Sequence, residues 1–231
     1  MPIKISQIRA LCFDVDGTLS DTDDLWVSKF EKILRPFSFI LPGRDTRGFA
    51  RWVVMGIETP GNLVYHWLDR LHLDDEMARV FNFMAQHGPQ RRKQKHYWII
   101  PGVSEAISQL RERYPLAAVS ARDERTTLAF LDQFDLRITF TTIVTAQTCT
   151  YTKPYPDPVH WAAREMGVEA KECLMIGDTT VDIRAGKAAG AQTVGVLCGF
   201  GEEKELHRAG ADLILPSTAM LPEILLSGES K

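Results

Sequence analysis

Six short, nearly continuous apolar runs restrict the fold of this chain more than any other feature. They are Arg9–Asp16 (RALCFDVD), Leu116–Ser120 (LAAVS), Thr142–Thr145 (TIVT), Cys173–Asp178 (CLMIGD), Gln192–Leu197 (QTVGVL) and Asp212–Leu215 (DLIL). A strand covered on both faces reads as such a run, whereas a half-solvated strand alternates. Helical patterns lie between the runs: Val103–Arg113, Glu124–Asp132, Pro158–Met166 and Thr180–Ala189. Asp157 reads as an N-cap with Pro158 at the first helical position, and Gly167 and Gly190 stand just past two helix ends. Strands alternating with helices predict an α/β chain with a doubly wound parallel sheet.

One interval breaks the alternation. About a hundred residues separate Asp16 from the strand at Leu116, although a parallel crossover needs only about a dozen. The helix at Val103–Arg113 suffices as that crossover, so residues 22–99 are surplus. They read as helical, over Asp24–Leu34, Arg47–Met55, Gly61–Leu71 and Asp74–Gln86. An insertion here leaves and returns at the carboxyl end of the first strand, the edge where open α/β sheets bind ligands. The expected organisation is a core of residues 1–21 and 100–231, with residues 22–99 forming a helical cap over the site; a separate interaction domain is the alternative.

Composition narrows the class. The chain has 231 residues, 45% of them hydrophobic, and 27 basic against 30 acidic side chains give a net charge of -3. That apolar content excludes disorder as the main state. The near-neutral charge gives no case for nucleic acid or an anionic membrane as partner. Cys12, Cys149, Cys173 and Cys198 form no Cys-x-x-Cys pair, and three of them sit in apolar runs, which fits reduced thiols. No run approaches the ~18 apolar residues of a membrane span, and the segment MPIKISQIRALCFDVDG is unlike a signal peptide. A cytoplasmic protein is expected.

Polar residues gather at the strand ends. Asp14 and Asp16 lie two apart at the end of the first run, so strand periodicity puts them on one side. Gly17 permits a sharp backbone departure. Close carboxylates repel unless a cation lies between them or one keeps its proton. Asp178 ends the fourth run, and Asp182 follows about one helical turn later. Parallel strands share one carboxyl edge, so Asp14, Asp16, Asp178 and Asp182 should converge there; hard oxygen ligands of this kind suit Mg²⁺. Ser120 ends the second run, where its hydroxyl and the following N–H groups would make an anion nest. Lys153, held extended by Pro154, would orient the carboxylates and offset phosphate charge. A calcium loop is excluded: its required Gly and Glu positions, counted from Asp14, hold Leu19 and Leu25.

Taken in order, Asp14-Val15-Asp16-Gly17-Thr18, Ser120, Lys153-Pro154 and Gly177-Asp178 with Asp182 resemble the four motifs of the haloacid dehalogenase-like (HAD) hydrolase superfamily. The insertion resembles that family's helical cap of the first type. Lys153–Pro158, Gly199-Phe200-Gly201 and Ala209-Gly210-Ala211-Asp212 look like its phosphoglycolate phosphatase and β-phosphoglucomutase branch. The resemblance implies phosphoryl transfer through an aspartyl phosphate: Asp14 as nucleophile, Asp16 as acid and then base, and Ser120 and Lys153 on the phosphoryl oxygens. Mg²⁺ would be held by Asp14, the Asp16 main-chain carbonyl and Asp178, with Asp182 supporting the metal shell or Lys153. Where this branch often has Asn after the serine, this chain has Ala121, which leaves only a main-chain N–H for phosphate.

The expected activity is a Mg²⁺-dependent phosphatase acting on a small phosphorylated metabolite. A sugar phosphomutase and a pyrophosphatase share the same core and stay open, and a non-catalytic interaction protein is the remaining alternative. Dehalogenation would leave Asp16 and Asp178 unexplained. In the insertion, Arg47 and Arg51 share a helix face that could meet an anionic substrate. The basic run Arg91–His96 reads as a solvated face, or as part of a hinge where the insertion rejoins the core.

Overall fold

The computed structural model describes residues 3–21 and 96–227. The four insertion helices, Arg47, Arg51 and residues 91–95 of the basic run lie outside the described residues. All six apolar runs become strands: β1 (Ala10–Phe13), β2 (Leu116–Val119), β3 (Thr142–Val144), β4 (Cys173–Gly177), β5 (Gln192–Val196) and β6 (Leu213–Leu215). They form one sheet in the order β3-β2-β1-β4-β5-β6, with every neighbouring pair parallel. The central strands β1, β2 and β4 are buried along their whole length, and the edge strands β3 and β6 only in part.

Period two divides the central strands between two cores. Leu11, Phe13, Leu116, Ala118, Leu174 and Ile176 face one layer, and Ala10, Cys12, Ala117, Val119, Cys173 and Met175 face the other. The first layer is closed by α1 (Val103–Leu110), α2 (Glu124–Gln133) and the short α6 (Leu221–Leu225), through Val103, Ile107, Leu110, Phe130, Leu131, Leu221 and Leu225. The second is closed by α3 (Asp157–Glu165) and α4 (Thr180–Ala188), through Val159, Ala162, Ala163 and Ala185. Small side chains on this face let the helices approach the sheet closely. Helices thus cover both faces, as the alternation of patterns requires.

Helix ends explain where the observed bounds depart from expectation. In α3 the N-cap is Pro156, already right-handed helical at φ -73° and ψ -15°, and its carbonyl accepts from Val159 and His160 N–H. The helix therefore starts one residue early, with Asp157 in the first turn rather than as cap. The end of α4 follows the sequence closely: Gly190, at φ +80°, donates to the Lys187 carbonyl and Ala191 to that of Gly186, closing the last turn. Helices α5 (Glu203–Ala209) and α6 were not expected. The first is short and mostly charged, and the second has five residues, so neither carries a clear amphipathic period.

The chain leaves β1 and returns through two neighbouring crossings. Asp21 N–H donates to the Trp98 carbonyl, Ile100 N–H donates to that of Leu19, and Ser20 and Ile99 form an antiparallel bridge. Exit and return therefore lie together beyond the carboxyl end of β1. No helix among the described residues is long and apolar enough to cross a membrane, and the four cysteines carry no disulfide.

Candidate active site

In this strand order the direction of winding reverses between β1 and β4, and the crevice beyond their carboxyl ends is where such sheets bind ligands. Phe13 pairs with Ile176, and Asp14 N–H donates to the Ile176 carbonyl at 2.9 Å. That ladder places Asp14 and Asp178 side by side as they leave the sheet. Asp182 comes from the first turn of α4, where Thr179 N–H and Oγ1 donate to its Oδ2 at 3.1 and 2.7 Å. This reciprocal cap fixes its rotamer. Carboxylate oxygens of Asp14, Asp178 and Asp182 lie within 4.8 Å of one another, and all three residues are buried. Lys153 Nζ, also buried, donates to Asp14 Oδ1 and Asp182 Oδ1, each at 2.6 Å.

The charges in this cluster do not balance. Three carboxylates face one ammonium. Burial, opposed by Lys153 and reinforced by Asp182 and Asp16, pushes the Asp14 carboxyl up to about 7. Burial, with Asp182 and Asp14 nearby, lifts Asp178 well above the ordinary aspartate value. Burial would lower Lys153, but Asp14 and Asp182 outweigh it and hold the ammonium protonated. A buried group of hard anionic oxygens with excess negative charge fits a divalent cation, which would remove the repulsion that raises these groups. Asp14 and Asp178 leave the sheet side by side and could hold one, whereas the Asp182 oxygens are taken by the Lys153 ammonium and by the two Thr179 donors of the helix cap.

Asp178 sits in a cradle whose two flanking glycines, Gly17 and Gly199, leave no room for a Cβ. Its Oδ2 accepts from Phe200 N–H at 2.8 Å and its Oδ1 from the Thr18 hydroxyl at 3.4 Å. Gly17 has φ +71°, and a Cβ there would stand 2.2 Å from Asp178 Oδ2; a Cβ on Gly199 would stand equally close to it and 2.5 Å from the Gly17 carbonyl oxygen. Both glycines are therefore needed for the approach of two loops to one carboxylate.

Three of the four expected carboxylates converge. The Asp16 carboxylate instead forms an ion pair with the Arg122 guanidinium. Strand alternation put Asp14 and Asp16 on one side, but β1 ends at Phe13, so period two no longer applies. Asp16 belongs to the turn that follows, closed by Leu19 and Ser20 N–H groups on the Val15 carbonyl. Ser120 is buried just past β2. The pairing of Phe13 with Ala118 brings it to the edge that Asp14 occupies, and its Oγ accepts from Arg122 N–H at 3.1 Å. Ala121 follows, exposed.

Sequence reasoning gave no individual role to Arg122, Thr18, Thr179, Phe200 and Gly199. Only Thr179 had a usable signal: a threonine three residues before an acid at a helix start is the capping-box pattern. The others act through loops that meet only in the folded chain.

Lys153→Met should leave Asp14 and Asp182 buried without their cation. A loss of about 3–5 kcal/mol is expected in metal-free protein at pH 8, the scale of breaking a buried ion pair from one side. The loss should shrink toward pH 5, where protons neutralise the carboxylates. Urea unfolding at the two pH values measures it, and equal stability of variant and wild type at pH 8 would contradict it.

A doubly wound α/β protein with a buried acidic centre and one lysine at the switch point is the class that fold and site define. The sequence model described as haloacid dehalogenase-like hydrolase matches residues 11–196, from β1 through β5, and the chain belongs to that family of enzymes. It is 27% identical over 231 residues to a phosphoglycolate phosphatase of Chromobacterium violaceum, covering 98% of this chain and 100% of the relative. It is 30% identical over 222 residues to the pyrophosphatase PpaX of Halalkalibacterium halodurans, covering 95% and 96%. A HAD family hydrolase from Deinococcus radiodurans, crystallised with bound phosphate and sodium, has the same fold, with a TM-score of 0.66 at 23% identity over 96% of each chain.

Proposed function

We propose that this chain is a Mg²⁺-dependent phosphatase that hydrolyses a small phosphorylated metabolite through an aspartyl phosphate on Asp14. The observation that carries the reading is the buried cluster of Asp14, Asp178 and Asp182 around Lys153 Nζ at the switch point. Asp14 and Asp178, with the Asp16 main-chain carbonyl, would hold Mg²⁺, whose role is to offset phosphoryl charge. Asp14 attacks phosphorus as the bond to the leaving oxygen breaks, and the Asp16 carboxyl gives that oxygen its proton. Water then attacks the aspartyl phosphate and passes a proton to the Asp16 carboxylate. The bond from Asp14 to phosphorus breaks, and phosphate leaves. Lys153, the Ser120 hydroxyl and the Ala121 N–H hold the non-bridging oxygens, so the protein contributes mainly position and charge. Asp182 keeps Lys153 aimed at Asp14.

Residues 22–99 would cover this edge as a cap, with Arg47 and Arg51 toward the far, anionic end of the substrate. The phosphatase names of relatives that match nearly the full chain support hydrolysis, and one of them, at 30% identity, favours pyrophosphate as the second candidate substrate. The free thiols fit a reducing cytoplasm.

Phosphate release with Mg²⁺ over phosphoglycolate, sugar phosphates, nucleotides and pyrophosphate, with Asp14→Asn as blank, is the test. Release above the blank from at least one small phosphate is expected, and should stop with excess EDTA. No release from any, or EDTA-resistant release, would overturn the reading.

A further inference from the structure

We propose that Arg122 is the positioning residue for Asp16, fixing its carboxyl group for proton transfer to the leaving oxygen. The inference rests on the acid role given to Asp16 above and goes beyond it by assigning what holds that acid in place. Asp16 needs such a residue because it lies in a turn beyond the end of β1, outside the ladder that aligns Asp14. A group displaced by about 1 Å from its productive position costs on the order of a hundredfold in rate.

Arg122 is built to do this. Its guanidinium forms the ion pair with Asp16, and the two side chains are only 16% and 32% exposed. Its main chain is held at both ends, the N–H by Ser120 Oγ at 3.1 Å and the carbonyl by Ala146 N–H at 2.9 Å. Its guanidinium carbon lies 5.7 Å from the centroid of the Tyr97 ring, within range of a cation–π contact. Tyr97 is itself fixed: its N–H donates to Gln133 Oε1 at 3.0 Å, and its carbonyl accepts from Gln133 Nε2 at 2.9 Å. Its ring meets Phe130 edge-on. The arginine is thus seated between β2, α2 and the returning crossing before it reaches Asp16. An exposed ion pair needs none of this support and contributes little; a planar guanidinium with a fixed backbone and an aromatic platform is a preorganised clamp.

The rival role for a cation at this edge is direct grip on the phosphate or another anionic group of the substrate. Two aryl phosphates that differ in their leaving group separate the roles. Nitrophenolate leaves from p-nitrophenyl phosphate with little need for a proton, whereas phenolate from phenyl phosphate needs one. The phosphate to be gripped is the same. The ratio kcat/KM reports formation of the aspartyl phosphate, the step in which the leaving oxygen departs.

With the full chain and Mg²⁺, Arg122→Met should lower kcat/KM for phenyl phosphate by about tenfold or more, the low end of a lost acid. For p-nitrophenyl phosphate the loss should stay within about threefold. Arg122→Lys keeps the charge without the planar stack, and should recover part of the phenyl phosphate rate. Equal losses on both substrates would overturn the proposal and assign Arg122 to the substrate or to structure. Thermal melts show whether Arg122→Met folds; if it does not, Arg122→Lys decides alone, a phenyl-selective loss supporting the proposal and no selectivity overturning it. Asp16→Asn separates the two levels. Without a phenyl-selective loss in that variant, or with neither ester turned over by the wild type, the acid role itself fails and the proposal falls with it. With that loss in Asp16→Asn and none in either Arg122 variant, only the proposal fails.

Discussion

Asp14→Asn is expected to abolish Mg²⁺-dependent phosphate release, by about 10⁴-fold or more, while leaving the fold intact. The amide matches the carboxylate in shape but cannot form the covalent intermediate, and loss of a nucleophile removes a whole pathway rather than one stabilising contact. Structure should survive because charge, not shape, is what burial opposes here: the Asp14 carboxyl is already pushed up to about 7. The amide oxygen can still accept from Lys153 Nζ, which lies 2.6 Å from Oδ1. Melting temperature in EDTA should therefore be no lower than in the wild type. Wild-type enzyme quenched during turnover should carry a phosphoryl group on the peptide containing residue 14, and the variant should carry none. A variant keeping more than about a tenth of wild-type turnover would remove Asp14 from the nucleophile's role.

The parts of this fold that could be read from sequence are those in which one physical rule acts alone. Burial on both faces makes β1, β2 and β4 continuous apolar runs, so they stand out without any tertiary knowledge. The stop of α4 at Gly190 is equally local, because a left-handed residue is needed there. The site was legible to the extent that strand ends position it: Asp14 and Asp178 leave adjacent parallel strands, which brings them together whatever the loops do. Asp16 was misplaced because the strand ends at Phe13, three residues before the end of the run, and a turn obeys no period. Arg122, Thr18 and the Phe200 N–H act across 106, 160 and 22 residues, through loop geometry that has no periodic trace in the chain. Similarly, the Gly199-Phe200-Gly201 motif could be matched in the sequence, but its physical reason shows only where Gly17 and Asp178 fill the space that a Cβ on Gly199 would take.

Asp178→Asn should make the metal-free protein more stable and the metal-loaded protein inactive. Asp178 accepts from two neutral donors, Phe200 N–H and the Thr18 hydroxyl, and burial together with the neighbouring Asp182 and Asp14 raises it. A carboxyl raised above its unfolded value binds protons more tightly in the folded state, so metal-free stability falls as pH rises from near 3.8 through the folded value, a window that for Asp14 extends to about 7. The cation competes with those protons. At a hundred times its dissociation constant, Mg²⁺ should add about 2.7 kcal/mol, or roughly 5–10 °C in Tm for a chain of this size, and more at pH 8 than at pH 5. In Asp178→Asn the amide oxygen can face Phe200 N–H and the amide nitrogen the Thr18 hydroxyl, so both hydrogen bonds persist without the charge. Stability in EDTA at pH 8 should then rise by about 1–3 kcal/mol, the Mg²⁺ increment should largely vanish, and turnover should fall by about 10³-fold. Melting curves with EDTA and with Mg²⁺ decide it: a variant less stable than wild type in EDTA, or one that keeps the full Mg²⁺ increment, would mean that the cation is held by other groups.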